Sequence, residues 1–408
     1  MMGSVRSVGT LLAAIFMLMA GSGFLSTLIA LRLDAAGAPA LFAGILATAY
    51  FVGLGAGSIL AFSVVARVGH IRAFAAFVSL FSATSLAYAL YLDPAFWPLL
   101  RLLDGFCMAG VFVCLESWLN ERAEPETRGS ILAFYMIALY SGQALGQFLL
   151  NLGHEQPALP FIAASILLSL AVLPVALTRL AQPPAPEGRL MRLNRLYAAS
   201  PLGVVGAGAT GLMLGAFYGL GAIFARGAGL GDAGTAFLMS ATILGGIAFQ
   251  WPLGRPSDII DRRKVIVACL IATLGTTFAI FAVAEGRAQL MLAGALFGGA
   301  CFALYPLCVA HTNDHLSSAQ RVSATGGLVL VYSLGAVMGP LPAAAVMDAV
   351  GPHGLFLFIG LCALAVTLFA IRRLFVSPPV PGERQHRYLI LPRTTPLAAQ
   401  LDPLSPER

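Results

Sequence analysis

Apolar residues along this chain recur as long unbroken blocks parted by short polar stretches, without the alternation or one-sided helical stripe of half-buried elements. Crossing about 30 Å of hydrocarbon takes roughly 20 residues of helix. Blocks of that length lie near 8–31, 41–65, 72–92, 98–119, 129–152, 159–179, 199–224, 235–254, 264–284, 288–311, 323–346 and 354–374. Each predicts a helix, because a segment in lipid must satisfy its backbone hydrogen bonds within itself. The first block follows Arg6 as the core of a signal peptide would, but eleven similar blocks come after it, so it reads as the first span. Loops between the spans are too short for a water-soluble domain.

A repeat organises these spans. A shift of 193 residues brings Arg128-Gly-Ser130 onto Arg321-Val-Ser323, Asn120-Glu121 onto Asn313-Asp314, and Gly142-x3-Gly146 onto Gly335-x3-Gly339. Arg32 meets Arg226 at a shift of 194. The shift equals six spans, so both halves run the same way through the membrane, and such repeats hold their substrate site between them near the midplane. The expected fold is all-α and integral to the membrane, with twelve transmembrane helices as two parallel, pseudo-symmetric six-helix bundles. Residues 1–180 form the first bundle, the Pro-rich stretch 181–197 a cytoplasmic linker, and 198–376 the second bundle. The polar, Pro-rich tail 377–408 is expected to stay disordered in the cytoplasm.

Composition agrees with a lipid-facing surface. Hydrophobic residues make up 59% of the chain and charged residues 10%, against about 25% charged in soluble domains. The net charge of +6 does not point to nucleic acid, since the arginines cluster between apolar blocks with no basic face interleaved with aromatics. With both termini cytoplasmic, all the Lys and Arg except Arg32, Arg101, Arg226 and Arg287 fall on cytoplasmic stretches or the tail. That bias fixes the orientation and suits a multi-pass protein of a bacterial inner membrane. The six cysteines lie inside apolar blocks without a CxxC pair, and the histidines have no ligand spacing, so neither a metal site nor a disulfide framework is expected. Gly206-Ala-Gly208-Ala-Thr-Gly211 fits the dinucleotide fingerprint, but it sits inside the seventh block, where small residues let helices approach closely.

The motifs at the span ends resemble the major facilitator superfamily over residues 8–374. After span 8, Gly254-Arg-Pro-Ser-Asp258 followed by Asp261-Arg262-Arg263-Lys264 is similar to that family's signature loop. After span 2 the same place reads Ala66-Arg67-Val68-Gly69, with Ala66 where the acid would stand. Arg101-Leu-Leu-Asp104-Gly105 at the start of span 4 is similar to the family's Arg-x-x-x-Gly motif, and Glu121-x6-Arg128-Gly129 to the cytoplasmic Glu/Arg pair of sugar porters, echoed by Asp314-x6-Arg321. Glu116-Ser-Trp-Leu-Asn120 and the run Tyr140–Gln147 resemble the YcaD-like branch. The resemblance implies a secondary transporter, usually monomeric, with Arg101 lining the route.

Charges inside a bilayer cost a few kcal/mol and are functional candidates by default. Arg101, Asp104 and Glu116 share one broad face of span 4, since at 100° per residue Asp104 and Glu116 fall about 60° to either side of Arg101. Arg101 and Asp104, three residues apart, can also simply neutralise one another. Glu116 lies roughly 7.5 Å deeper than Glu121, and its repeat partner is Val309. An unmatched acid at that depth needs water, a partner or a proton, so it is either a proton or substrate site or one end of a structural hydrogen bond to Asn120 or a neighbouring helix. Tyr140, Gln143 and Gln147 form a polar stripe on span 5, and Tyr218, Gln250, Tyr305 and Tyr332 are second-half candidates for the same pocket. Glu121, Arg128, Asp258, Arg262, Asp314 and Arg321 sit at cytoplasmic helix ends and read as an inter-half ion-pair gate, or as ordinary interfacial charge.

The function expected is carriage of a small-molecule solute across the lipid bilayer by alternating access, coupled to protons, with export placed slightly ahead of uptake. An uncoupled facilitator is the alternative, and a non-transporting membrane sensor is the alternative from another class. Neither an enzyme nor a cofactor is expected, because no cluster of nucleophile, base or metal ligands shares one depth. The Gly-Pro that exporters of this superfamily often carry in span 5 is replaced by Gly146-Gln147, while Gly339-Pro340 stands in span 11.

Overall fold

The computed structural model describes residues 2–90, 93–123, 127–154, 156–178, 183, 190–282, 286–376, 378–381 and 385–401. Among these residues, twelve helices are long and apolar enough to span a membrane. They are α1 (Val8–Ala35), α2 (Ala40–Val68), α3 (His70–Leu90), α4 (Pro94–Arg122), α5 (Arg128–Gly153) and α6 (Leu159–Ala176) in the first half. The second half holds α7 (Pro201–Gly227), α8 (Asp232–Asp258), α9 (Arg262–Ala282), α10 (Arg287–Asn313), α11 (Gln320–Val350) and α12 (Gly354–Val376). Leu60, Ile137, Phe278 and Leu368 are among the exposed large apolar side chains that give the bundle its lipid-facing belt. The expected twelve-helix, all-α fold is the one found.

The glycine repeat has a packing cause. Helix α2 crosses α4 so closely that a Cβ on Gly53 would strike the Leu102 carbonyl oxygen and one on Gly105 that of Tyr50. In the second half α8 crosses α10 the same way, with Gly245 against Ala295 and Gly298 against Thr242. The pair Gly142 and Gly146 seats α5 on Phe16 and Ala20 of α1, and its repeat Gly335 and Gly339 seats α11 on Gly208 and Leu212 of α7. Small residues substitute for the hydrophobic drive that helices lack in lipid, because close backbone approach maximises dispersion. The fingerprint-like glycines of α7 belong to this packing, Gly211 lying on the Tyr332 carbonyl and Gly206 on the Cys308 sulfur.

Two helices are broken within their length, and a third changes form at its end. Helix α1 breaks between Ser22 and Leu25, and α11 breaks at Gly339. There Pro340 has no N–H to continue the ladder. Helix α5 tightens into a 3-10 coil from Gln147 to His154. The Gln147 amide donates to the Gly23 carbonyl at 3.0 Å, supplying the partner that the break in α1 withholds.

Both halves meet firmly at one end of the bundle. The Asp348 carboxylate of α11 accepts the Ala40 and Leu41 N–H groups at 2.8 and 3.0 Å, capping α2 across the halves. Arg226 of α7 donates to the Leu31 carbonyl at 3.0 Å and lies 3.5 Å from Asp34. At the opposite end, where the linker lies, residues of the C-terminal tail stand between the halves and bond to both. A short linker helix, Leu193–Ala199, lies beside α11 there, tied by the Met191 N–H to the Ser323 carbonyl at 3.0 Å.

The tail departs from expectation. Residues 385–401, expected to be disordered, fill the gap at the linker end and carry a 3-10 turn at Pro396–Leu401. Leu391, Leu397 and Ala399 are buried there, and Thr395 is fully enclosed. The apolar run Tyr388–Leu391 inside an otherwise polar tail is what allows it to pack.

Candidate transport site

A cavity of about 130 Å³ lies between the halves at the level of the helix breaks. Ser22, Gly23 and Ser26 of α1 line it because the break in α1 turns that segment inward. Tyr50 of α2, Arg101 of α4, Tyr140 and Gln143 of α5, Tyr218 of α7 and Tyr332 of α11 complete the wall. Five sequence candidates, Arg101, Tyr140, Gln143, Tyr218 and Tyr332, therefore meet at one place.

The remaining five lie elsewhere. Asp104 turns toward α3, where it accepts the Thr84 and Tyr88 hydroxyls at 2.5 and 2.6 Å, with Arg101 at 3.6 Å. Gln147 is committed to Gly23, Gln250 is buried within α8, and Tyr305 is buried behind Tyr332 with ring centroids 5.3 Å apart. Glu116 is fully buried and shielded from the cavity by the tail. Arg101 donates to the Ser26 hydroxyl at 2.5 Å and rests 4.4 Å over the Tyr50 ring, so its charge is satisfied by α1, α2 and Asp104 together.

Glu116 accepts the Tyr135 hydroxyl of α5 at 2.8 Å, and its two oxygens also accept the hydroxyls of Thr394 and Thr395. Of the two structural partners expected, the neighbouring helix supplies one. Asn120 instead donates to Gln400 of the tail at 2.7 Å. Arg393, the residue before Thr394, projects into the cavity over Phe302, Tyr332 and Tyr140, with its guanidinium carbon 4.5, 5.3 and 5.9 Å from the ring centroids. None of the tail partners was foreseen, although Thr394 and Thr395 beside an arginine and an apolar run were visible in the sequence.

The charged cluster at the linker end belongs chiefly to the second half. Arg262 is buried and bridges Asp258 at 3.1 Å and Asp314 at 2.5 Å, tying the α8–α9 loop to the end of α10. Both acids also hold the tail, Asp314 through the His386 N–H at 2.9 Å and Asp258 through the Tyr388 N–H at 2.7 Å. Arg262 donates to the His386 carbonyl, and Arg321 meets the His386 ring, each at 2.5 Å. Burial raises the Asp314 carboxyl above the usual carboxylate range against the pull of Arg262. Glu121 is exposed, and Arg128 donates to the Ala123 carbonyl at 3.3 Å. The ion pairs of Asp258, Arg262 and Asp314 thus stay within the second half rather than crossing to the first.

Comparison with known proteins adds a family resemblance. The model of the Major Facilitator Superfamily matches residues 202–391. The chain is 29% identical over 380 residues to the MFS-type transporter YcaD of Salmonella typhi, covering 91% of this chain and 97% of the relative, and equally so to that of Salmonella enteritidis. Over nearly its whole length the chain thus resembles the major facilitator superfamily, and within it the YcaD-like branch. It is a multi-pass membrane transporter, not an enzyme. Among solved structures, the nucleoside transporter NupG is similar in fold, with TM-score 0.74 at 14% identity, covering 92% of this chain and 99% of that one. A bacterial homologue of the human lysosomal transporter Spinster, in an inward-facing and occupied conformation, gives TM-score 0.72 at 13% identity, covering 93% and 96%. At such identities these likenesses speak for the fold alone.

Proposed function

We propose that this transporter moves a small organic solute by alternating access, coupled to a proton carried by Glu116. Glu116 itself carries the reading. It is fully buried in α4, one residue's reach from the cavity, and its partners among the described residues are hydroxyl groups. An isolated ionised carboxylate costs several kcal/mol in such surroundings, so the site favours whichever state supplies a proton or a counter-charge. A site that meets the cavity in one state and closes in another is what links proton movement to solute movement.

Orientation and conformation follow from the charge bias. With the linker end cytoplasmic, the Asp348 and Arg226 contacts seal the outer face and the molecule is inward-facing. Asp258, Arg262, Asp314 and Arg321 line the linker end through their contacts with the tail, and in the outward-facing state they would pair with Glu121 and Arg128 of the first half. One chain holds both halves and the whole cavity, so a monomer suffices.

Proteoliposomes loaded with a metabolite panel test this. One proton per solute limits accumulation to about tenfold per pH unit of gradient. The wild type is expected to approach that limit for its substrate, and the sign of the gradient that drives it separates export, the favoured direction, from uptake. Glu116→Gln should equilibrate the solute without accumulating it. Equal accumulation by both proteins would remove Glu116 from the coupling, and flux indifferent to pH in the wild type would make the protein a facilitator.

A further inference from the structure

The tail does more than close a gap. Residues 385–401 touch both halves, gripping Asp258, Arg262, Asp314 and Arg321 of the second, and Glu116 and Asn120 of the first. Between these grips Arg393 enters the cavity, where Tyr140 of one half and Tyr218, Phe302 and Tyr332 of the other surround its guanidinium. We propose that this aromatic cage is the cation subsite of the transported solute, that the solute is a small organic cation of the guanidinium or ammonium class, and that Arg393 is its intramolecular competitor. The proposal rests on the cavity being the transport route.

Three observations carry it. Aromatic faces attract a cation within about 6 Å, and three of the rings lie within that range of one guanidinium. Tyr218 lines the same cavity as Arg393, Tyr140 and Tyr332, so a fourth aromatic side chain helps to close the cage. The cage also has an acid at hand, hidden by the same segment. Thr394, the residue next to Arg393, covers Glu116, and adjacent Cα atoms lie about 3.8 Å apart. When the tail withdraws, the cage empties and Glu116 loses the Thr394 and Thr395 hydroxyls together, leaving a carboxyl group beside an aromatic cation site. The other cation of the cavity, Arg101, is held by Asp104, Ser26 and Tyr50, so it leaves this subsite to the incoming charge.

The test uses three ligands of nearly one shape and different charge: benzamidine, a planar cation; benzamide, neutral; and benzoate, an anion. Binding to the full-length protein in nanodiscs is measured by calorimetry for the wild type, Arg393→Gln and Arg393→Lys. Vacating the cage in Arg393→Gln should tighten benzamidine on the order of tenfold, as removal of an occupying competitor does. Arg393→Lys, which keeps a cation in place, should stay near the wild type, and benzamide and benzoate should shift in neither variant. Unchanged benzamidine affinity in Arg393→Gln, with the protein folded by its melting curve, would overturn the proposal. Benzoate binding that is lost in Arg393→Gln would also overturn it, since Arg393 would then be an anion ligand. A cation that binds as expected but is not moved by proteoliposomes would leave the subsite standing and remove the transport reading, so the two failures are distinct.

Discussion

Asp104 and Glu116 lie on the same helix, yet their surroundings assign them different work. Asp104 has Thr84, Tyr88 and Arg101 around it and faces α3, so it braces the first bundle. Among the described residues Glu116 has hydroxyl partners, two of them on the tail. Tyr88→Phe removes one charge-assisted hydrogen bond from a buried carboxylate, which should cost about 1.5–3 kcal/mol of stability and lower the melting temperature in detergent. Solute binding should be unaltered. If Tyr88→Phe leaves melting unchanged but weakens binding, Asp104 belongs to the route after all. Residue identity in the sequence revealed that these acids were costly, but it did not reveal which way each faced. A few degrees of helix rotation and the choice of rotamer decide that, and both are set by neighbouring helices. For the same reason Tyr140, Gln143, Tyr218 and Tyr332 reach the cavity whereas Tyr305 and Gln250, equally polar and in spans of the same kind, are packed away.

At the scale of elements the sequence was far more legible. Lipid imposes one requirement along each span, so twelve apolar blocks could be read directly as twelve helices, and the repeat of Gly142 and Gly146 at Gly335 and Gly339 marked matching crossings. Gly105 shows what these positions enforce, since any side chain there meets the immovable Tyr50 carbonyl. Gly105→Val should destabilise by about 3 kcal/mol or more and reduce the folded fraction in size-exclusion profiles. Gly55→Ala, on α2 with open space around it, is the matched control and should be neutral. Equal behaviour of the two would contradict the crossing. The breaks in α1 and α11 were not legible, because Gly23 and Pro340 are tolerated in a span wherever a neighbour such as Gln147 re-satisfies the backbone.

The molecule as a whole has two halves joined by the Asp348 and Arg226 contacts at one end, with a segment of its own chain lodged between them at the other. That arrangement was the least legible, since the tail is polar in composition and its partners Asp258, Arg262, Asp314, Glu116 and Asn120 come together only in the folded protein. In the mechanism we propose, the halves rock about the cavity and the tail holds them in the present state. Pulsed electron paramagnetic resonance measures this directly, with one spin-label pair at the exposed Val68 and Ile259 of the linker end and another at the exposed Ala36 and Val350 of the sealed end. In the wild type the linker-end distance should be long and the far-end distance short. In Arg393→Gln a second population should grow in which the first shortens while the second lengthens. Distances that stay fixed in the variant, or that lengthen together, would contradict alternating access and the role given to the tail.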